Sequence, residues 1–295
     1  MKVVYGHTDS IYVQIDSIER AEECIKEIET SVRESFPNVM GLDEHPVVLE
    51  FEKYYSALGV GVTKNRNAGM IVWEDGNYLD KPKFTMTGFT AKRVSETPFS
   101  KTIQTDVLKM WVNSKTETEI LAYLHDKYIA TLNGEIEIKN FIKRSRLKSN
   151  RFMVKCGKCN TKYHITDCLK MGWCKKCSNN TKNFTTLEGK KPTFGSGIAG
   201  VLYGWEKKDM TFDDSYLYLK VKSVNDSYTN PLTKEIRSVE YVSGTTYADF
   251  ESCYPDWPHY AEQVLKKAEP IYKAMKWDLS SIRTGKIQRK LDDWW

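Results

Sequence analysis

No apolar run in the 295-residue chain approaches the roughly 20 residues needed to cross a bilayer, so no membrane association is expected. The opening residues, Met1-Lys2-Val3-Val4-Tyr5, lack the long apolar stretch of a secretory signal. Internal repeats and low-complexity tracts are missing, which argues against solenoids and disordered tails. Cysteine is sparse, with seven in all, and four of them form two Cys-x-x-Cys pairs. In a reducing compartment that arrangement points to a metal before it points to disulfides. The expectation is an intracellular protein, cytoplasmic or nucleoid-associated. Acidic residues are nearly absent from one stretch. Lys143–Lys191 holds 14 basic and 2 acidic residues, a net +12, while the other 30 basic and 37 acidic residues leave the rest of the chain at −7. Such a block suits a polyanion, most simply nucleic acid, or else a solvated lysine-rich loop.

What is present is ample for a folded protein. Hydrophobic residues make up 40% of the chain, with 8 Trp, 17 Tyr and 11 Phe, enough for two or three compact units. Lys2–Tyr5 and Ser10–Ile15 read as β-runs around Gly6-His7-Thr8-Asp9. Ala21, Cys24, Ile25, Ile28 and Val32 recur at helical spacing within Ser17–Phe36. Val47–Phe51, Ser56–Val62, Ala68–Trp73 and Lys83–Thr90 read as strands, with a turn at Asp75-Gly76-Asn77. Pro98 suits the first turn of a helix carrying Ile103, Val107, Leu108 and Trp111 on one face. Thr116–Leu132 and Trp257–Trp277 read as further helices.

Within the turn Tyr5-Gly6-His7-Thr8-Asp9-Ser10, Asp9 is placed where rigid strands would fix a metal-binding carboxylate. Taken by itself, Thr8-Asp9-Ser10 is also ordinary turn chemistry. The hexapeptide resembles motif C of family B DNA polymerases, and the resemblance continues in order. Leu49-Glu50-Phe51-Glu52 is similar to the family's Leu-Glu-Tyr-Glu palm strand. Lys64-Asn65-Arg66-Asn67-Ala68-Gly69-Met70 is similar to its Lys-Lys-Arg-Tyr-Ala-Gly-Leu segment. Gly88–Arg93 is similar to its Gly-Leu-Glu-x-x-Arg, and Lys101 and Gln104 fall at its Lys-x-x-Gln helix. Trp257–Lys276 resembles a thumb helix.

The resemblance implies a fold of class α+β. A partial palm over 1–105, an antiparallel sheet with helices, would be followed over 106–295 by a mainly helical thumb. It makes Asp9 the catalytic aspartate that binds Mg²⁺, with His7, Thr8, Ser10 and Glu52 as auxiliaries, and Lys64, Arg66, Arg93 and Lys101 as DNA contacts. Two departures stand out: His7 replaces the family's first Asp, and Asn67 replaces its Tyr. The family's exonuclease domain, fingers helix and motif A aspartate all precede motif C. A large partner chain is therefore expected to supply them, together with a share of two Mg²⁺ ions. The implied substrates are primer–template DNA and deoxynucleoside triphosphates. The rival expectation is a non-catalytic DNA-binding or scaffold subunit.

Cys156, Cys159, Cys174 and Cys177 form Cys-x2-Cys-x14-Cys-x2-Cys, the spacing of two knuckles around one tetrahedral Zn²⁺. Buried free thiols or a redox pair are the alternatives. A structural zinc ribbon over about 150–182 is expected, its lysines with Tyr163 and Trp173 either gripping phosphates or a partner chain, or the ion merely stapling a core-poor insertion. At the end, Gln288, Leu291, Trp294 and Trp295 resemble the peptide by which replication proteins bind a sliding clamp. The alternative is that the tryptophans of 288–295 pack on the chain itself.

Overall fold

The structure is a computed structural model that describes residues 2–7, 10–63, 65–147, 153–193, 195–208, 215–230 and 232–287. It divides into two compact units. One comprises Met1–Phe89, Asp106–Ile120 and Pro270–Trp277; the other comprises Thr90–Thr105, Leu121–Glu269 and Asp278–Trp295. No helix among the described residues is long and apolar enough to cross a membrane.

In the first unit, β1 (Lys2–His7) and β2 (Ser10–Gln14) pair antiparallel, with His7 opposite Ser10. A bulge between Val3 and Tyr5 shifts the register. Helix α1 (Ala21–Ser35) buries Ala21 and Cys24, the apolar stripe read from the sequence. A second antiparallel sheet follows in the order β3 (Lys53–Val60), β4 (Asn67–Glu74), β5 (Asn77–Thr87). The expected strand at Val47–Phe51 is not formed. β4 ends at Glu74, opposite Lys53, and the chain then turns through Asp75 and Gly76, so no strand lies across from residues 47–51. Phe51 stacks on Trp73 instead, at 4.3 Å between centroids.

Helix α2 (Pro98–Val112) buries Ile103, Val107 and Leu108. Its Trp111 ring lies so close to β3 that a Cβ on Gly59 would fall 2.2 Å from it. Helix α3 (Glu117–Leu132) opens on a reciprocal cap. The Thr116 hydroxyl accepts from the Glu119 N–H, and the Glu119 carboxylate accepts from the Thr116 N–H.

The described residues of 106–295 interleave strands with the expected helices. They contain β6 (Lys143–Arg146), β7 (Met153–Cys156), β8 (Lys162–His164), helix α4 (Ile165–Lys170), β9 (Phe184–Thr186), helix α5 (Ser196–Lys208), β10 (Ser215–Thr229) and β11 (Ile236–Gly244). All of these lie in the second unit, where β10 is central between β11 and β6, and β7 is central between β8 and β9, every pairing antiparallel. Leu217, Leu219 and Val221 recur at every second position of β10 and are all buried, which sets the face it turns to the core. Helix α6 (Trp257–Met275) follows as expected. In the same unit Phe141 anchors the aromatic cluster, with Phe99, Trp257 and Tyr260 within 5.5 Å of its centroid.

Candidate functional site

The β1–β2 hairpin presents the candidate catalytic turn. Its strands end at His7 and begin again at Ser10, which pair with each other. Thr8 and Asp9 lie outside the described residues. Tyr12 links the hairpin to the next sheet, with its ring 5.4 Å from Tyr5 and 6.0 Å from Tyr55. Burial, reinforced by Tyr12 and by the Glu74 and Glu52 carboxylates, pushes the Tyr55 hydroxyl up to about 12, so it stays a neutral donor. Ser10 and Glu52 line one cleft of about 780 Å³, together with Glu50 and the apolar face of α1. Glu52 sits just ahead of β3, where its carbonyl accepts the Asp75 N–H at 3.0 Å. The structure thus brings two of the expected auxiliary residues to one concavity.

The loop joining β3 to β4 carries the next candidates. Lys64 lies outside the described residues. Asn65 is left-handed, at φ 63°, and the Gly61 N–H donates to the Arg66 carbonyl at 2.8 Å, closing the loop. Gly88 braces it from behind. At φ +75° it approaches so closely that a Cβ would lie 1.9 Å from the Asn65 carbonyl oxygen. The Arg66 guanidinium stands 6.0 Å from the Phe89 ring centroid. Asn67, by contrast, is buried at the first pair of β4.

Arg93 and Lys101 belong to the second unit, Arg93 exposed and Lys101 half-exposed. The turn before Arg93 is held by a polar network that sequence reading missed. Gln104 accepts from the Ala91 N–H at 2.7 Å and from the Thr90 hydroxyl at 3.0 Å. Lys267 donates to the Thr90 hydroxyl at 2.9 Å and to Glu96 at 2.5 Å, and Lys143 approaches Glu96 at 3.6 Å. A signal for this existed. Lys267 falls on the face of α6 that buries Tyr260, Val264 and Ile271, and a lysine on such a face needs a partner.

The four paired cysteines converge, with their Sγ atoms all within 4.8 Å of one another. Both pairs fold the same way. Cys156 N–H donates to the Thr161 carbonyl and Cys174 N–H to the Asn179 carbonyl. The residues after each pair, Asn160 and Ser178, are left-handed and donate back to the carbonyls of Cys156 and Cys174. The Lys158 N–H and the Asn179 amide each donate to Cys156 Sγ at 3.4 Å. His164 turns away to the Leu147 carbonyl, and Cys168 is fully buried, its thiol pushed up to about 12 by that burial. A compact set of four soft sulfur donors held by backbone N–H groups fits a tetrahedral Zn²⁺ with no open position.

The candidate clamp-binding residues Gln288, Leu291, Trp294 and Trp295 lie outside the described residues. Residues 1–181 match the family model of DNA polymerase family B. A curated relative, DNA polymerase 037L of Invertebrate iridescent virus 6, is 25% identical over 167 residues, 52% of this chain and 13% of the relative. The family B DNA polymerase of the hyperthermophilic archaeon Pyrobaculum calidifontis has a similar fold, with a TM-score of 0.52 and 14% identity over 92% of this chain and 26% of the archaeal one. The chain therefore spans only a small part of the polymerases it matches. From the ordered motifs, the antiparallel sheets and a family match over most of its length, the chain belongs to DNA polymerase family B.

Proposed function

We propose that this chain is the C-terminal part of a DNA-directed DNA polymerase, with palm residues over 1–105 and thumb residues over 106–295. The observation that carries this reading is the cleft shared by Glu52 ahead of β3 and Ser10 of the hairpin, the residue that follows Asp9 in the sequence. Asp9, with an aspartate from outside this chain, would hold two Mg²⁺ ions, and Glu50 and Glu52, which are among the residues lining the cleft, are of the oxygen-donor type that suits a hard cation. When bound, the ions activate the primer 3′-hydroxyl and carry the triphosphate. The braced loop offers Arg66 to the primer–template backbone, and Arg93 and Lys101 add phosphate contacts. Zn²⁺ at Cys156, Cys159, Cys174 and Cys177 is structural.

A further chain segment belongs to this reading. A two-stranded hairpin seldom stands alone in water, and Val3, Val4 and Ile11 of this one are exposed at 58%, 42% and 44%. A large polymerase chain bearing the remaining palm strands would cover them. A non-catalytic scaffold role is the second reading, favoured by the burial of Asn67 where the family presents a Tyr. Primer extension by the chain combined with the rest of the polymerase separates the two. Asp9→Ala should abolish extension if Asp9 holds the ions. Equal extension by native and Asp9→Ala protein would leave only the scaffold role.

A further inference from the structure

The Cys156–Cys177 module carries an exposed aromatic set among unpaired cations. Trp173 is 60% exposed, whereas the other described tryptophans are half-buried. Its backbone is fixed by an antiparallel bridge to Asn180, so the exposed ring rests on an ordered segment. Cys174, the residue after it, is buried among the four sulfurs. Lysines lie near this point along the chain and in the facing knuckle loop. Lys175 and Lys176 occupy the loop that starts one residue after Trp173, Lys182 lies two residues past the bridge partner, and Lys158 occupies the other knuckle loop. All four are exposed, as is Lys162 on β8, and none forms an ion pair among the described residues. Of the two acids in this stretch, Glu188 is paired with Lys190 at 3.2 Å, and Asp167 stands exposed on α4. Tyr163 does not join the exposed set, since its ring stacks on Phe184 and its hydroxyl meets Cys174 Sγ at 3.2 Å.

An exposed indole costs hydration free energy unless something covers it, and five exposed, unpaired lysines on the same module select a polyanion with a flat apolar face. A purely acidic peptide would satisfy the charges but not the ring. Duplex DNA satisfies the charges but keeps its bases stacked. Single-stranded nucleic acid satisfies both, since an unstacked base covers the indole while neighbouring phosphates meet the lysines. We infer that the cysteine module is a single-stranded nucleic-acid binding site, with Trp173 as the stacking platform and Lys158, Lys175, Lys176 and Lys182 as phosphate contacts. The palm residues take no part in it.

The test uses the full chain with fluorescein-labelled oligothymidylate, the corresponding duplex and polyglutamate, followed by anisotropy over a salt series. Native protein should prefer oligothymidylate to polyglutamate. Trp173→Ala should weaken oligothymidylate binding by about 5- to 150-fold, the range for losing one stacked base, while Trp173→Phe keeps most of the affinity. Replacing Lys175 and Lys176 with Ala should flatten the salt dependence by about 0.7 per lysine. Lys81→Ala, at an exposed position on β5, serves as the comparator outside the module, and an unchanged circular dichroism spectrum shows that each variant is folded. Undiminished binding by folded Trp173→Ala overturns the proposal, as does equal affinity of the native chain for polyglutamate. Primer extension is a separate readout, so failure here leaves the polymerase reading untouched.

Discussion

The Lys267 ammonium donates to the Glu96 carboxylate at 2.5 Å, with only 9% and 13% of the two side chains exposed. The pair sits beside Thr90, which also receives Lys267 and donates to Gln104. Helix α6, helix α2 and the turn ahead of Arg93 are therefore tied at one polar knot within an apolar surround. Removing one partner leaves a buried charge unpaired. Lys267→Met should destabilise the second unit by about 3 kcal/mol, measured as a shifted urea midpoint, whereas the double replacement with Glu96→Leu should recover much of the loss.

The same pair predicts a pH dependence. Burial raises the Glu96 pKa, but the Lys267 hydrogen bond and the charges of Lys267 and Lys143 outweigh it, so the folded value lies below 4.5. A carboxylate depressed on folding contributes stability that is complete above its unfolded value and is lost as pH falls through its folded value. The stability gap between native protein and Glu96→Gln should be constant above about pH 5 and should close as the pH drops below 4.5. A gap that persists unchanged into strong acid would refute the ion pair's role.

Zinc removal should act locally. Protein prepared without chelator should carry about one zinc per chain by elemental analysis, and Cys174→Ser should lose it. Four thiols packed within 4.8 Å have too little core around them to hold the three short strands alone. Loss of the ion should therefore expose amide protons of β7, β8 and β9 to hydrogen exchange, with β3–β5 unaffected. Metal-free protein with unchanged exchange would count against a structural ion.

Gly88→Ala tests the brace behind the candidate primer–template loop. A side chain there must adopt a left-handed backbone, at about 1–3 kcal/mol, and its Cβ would strike the Asn65 carbonyl. Thermal stability should fall, and affinity for primer–template should fall with it, because the loop bearing Arg66 must move. A variant as stable as native protein would mean that the loop relaxes without cost.

Deleting residues 288–295 should abolish binding to a sliding clamp and leave zinc content and thermal stability as they were. Clamp capture on a sensor surface is the measurement, and unchanged capture refutes the terminal peptide as the contact.

Much of the architecture was legible from local pattern. The hairpin, α1, the three strands β3–β5 and the helices α2, α3 and α6 follow from periodicity of 2 or 3.6 with turn and cap residues at their ends. The strand expected at Val47–Phe51 failed because a strand requires a neighbour, and the turn at Asp75 removes it. Sheet strands β6, β10 and β11 were missed because their pairing joins residues far apart in sequence. Val221 and Leu219 signal burial, but no local feature names β6 and β11 as their partners.

Two things were settled by sequence alone: membership in the polymerase family, which rests on the order of short motifs from Tyr5 to Arg93, and the cysteine spacing, because two knuckles are each built from six consecutive residues. Tertiary structure decided what depends on distant groups meeting. It brought Ser10 and Glu52 to one cleft, turned Gln104 and Lys267 inward to hold Thr90, and left Trp173 exposed while Tyr163 was covered. Burial of a polar or aromatic side chain depends on what packs over it, and that is a property of the whole chain rather than of the residues beside it.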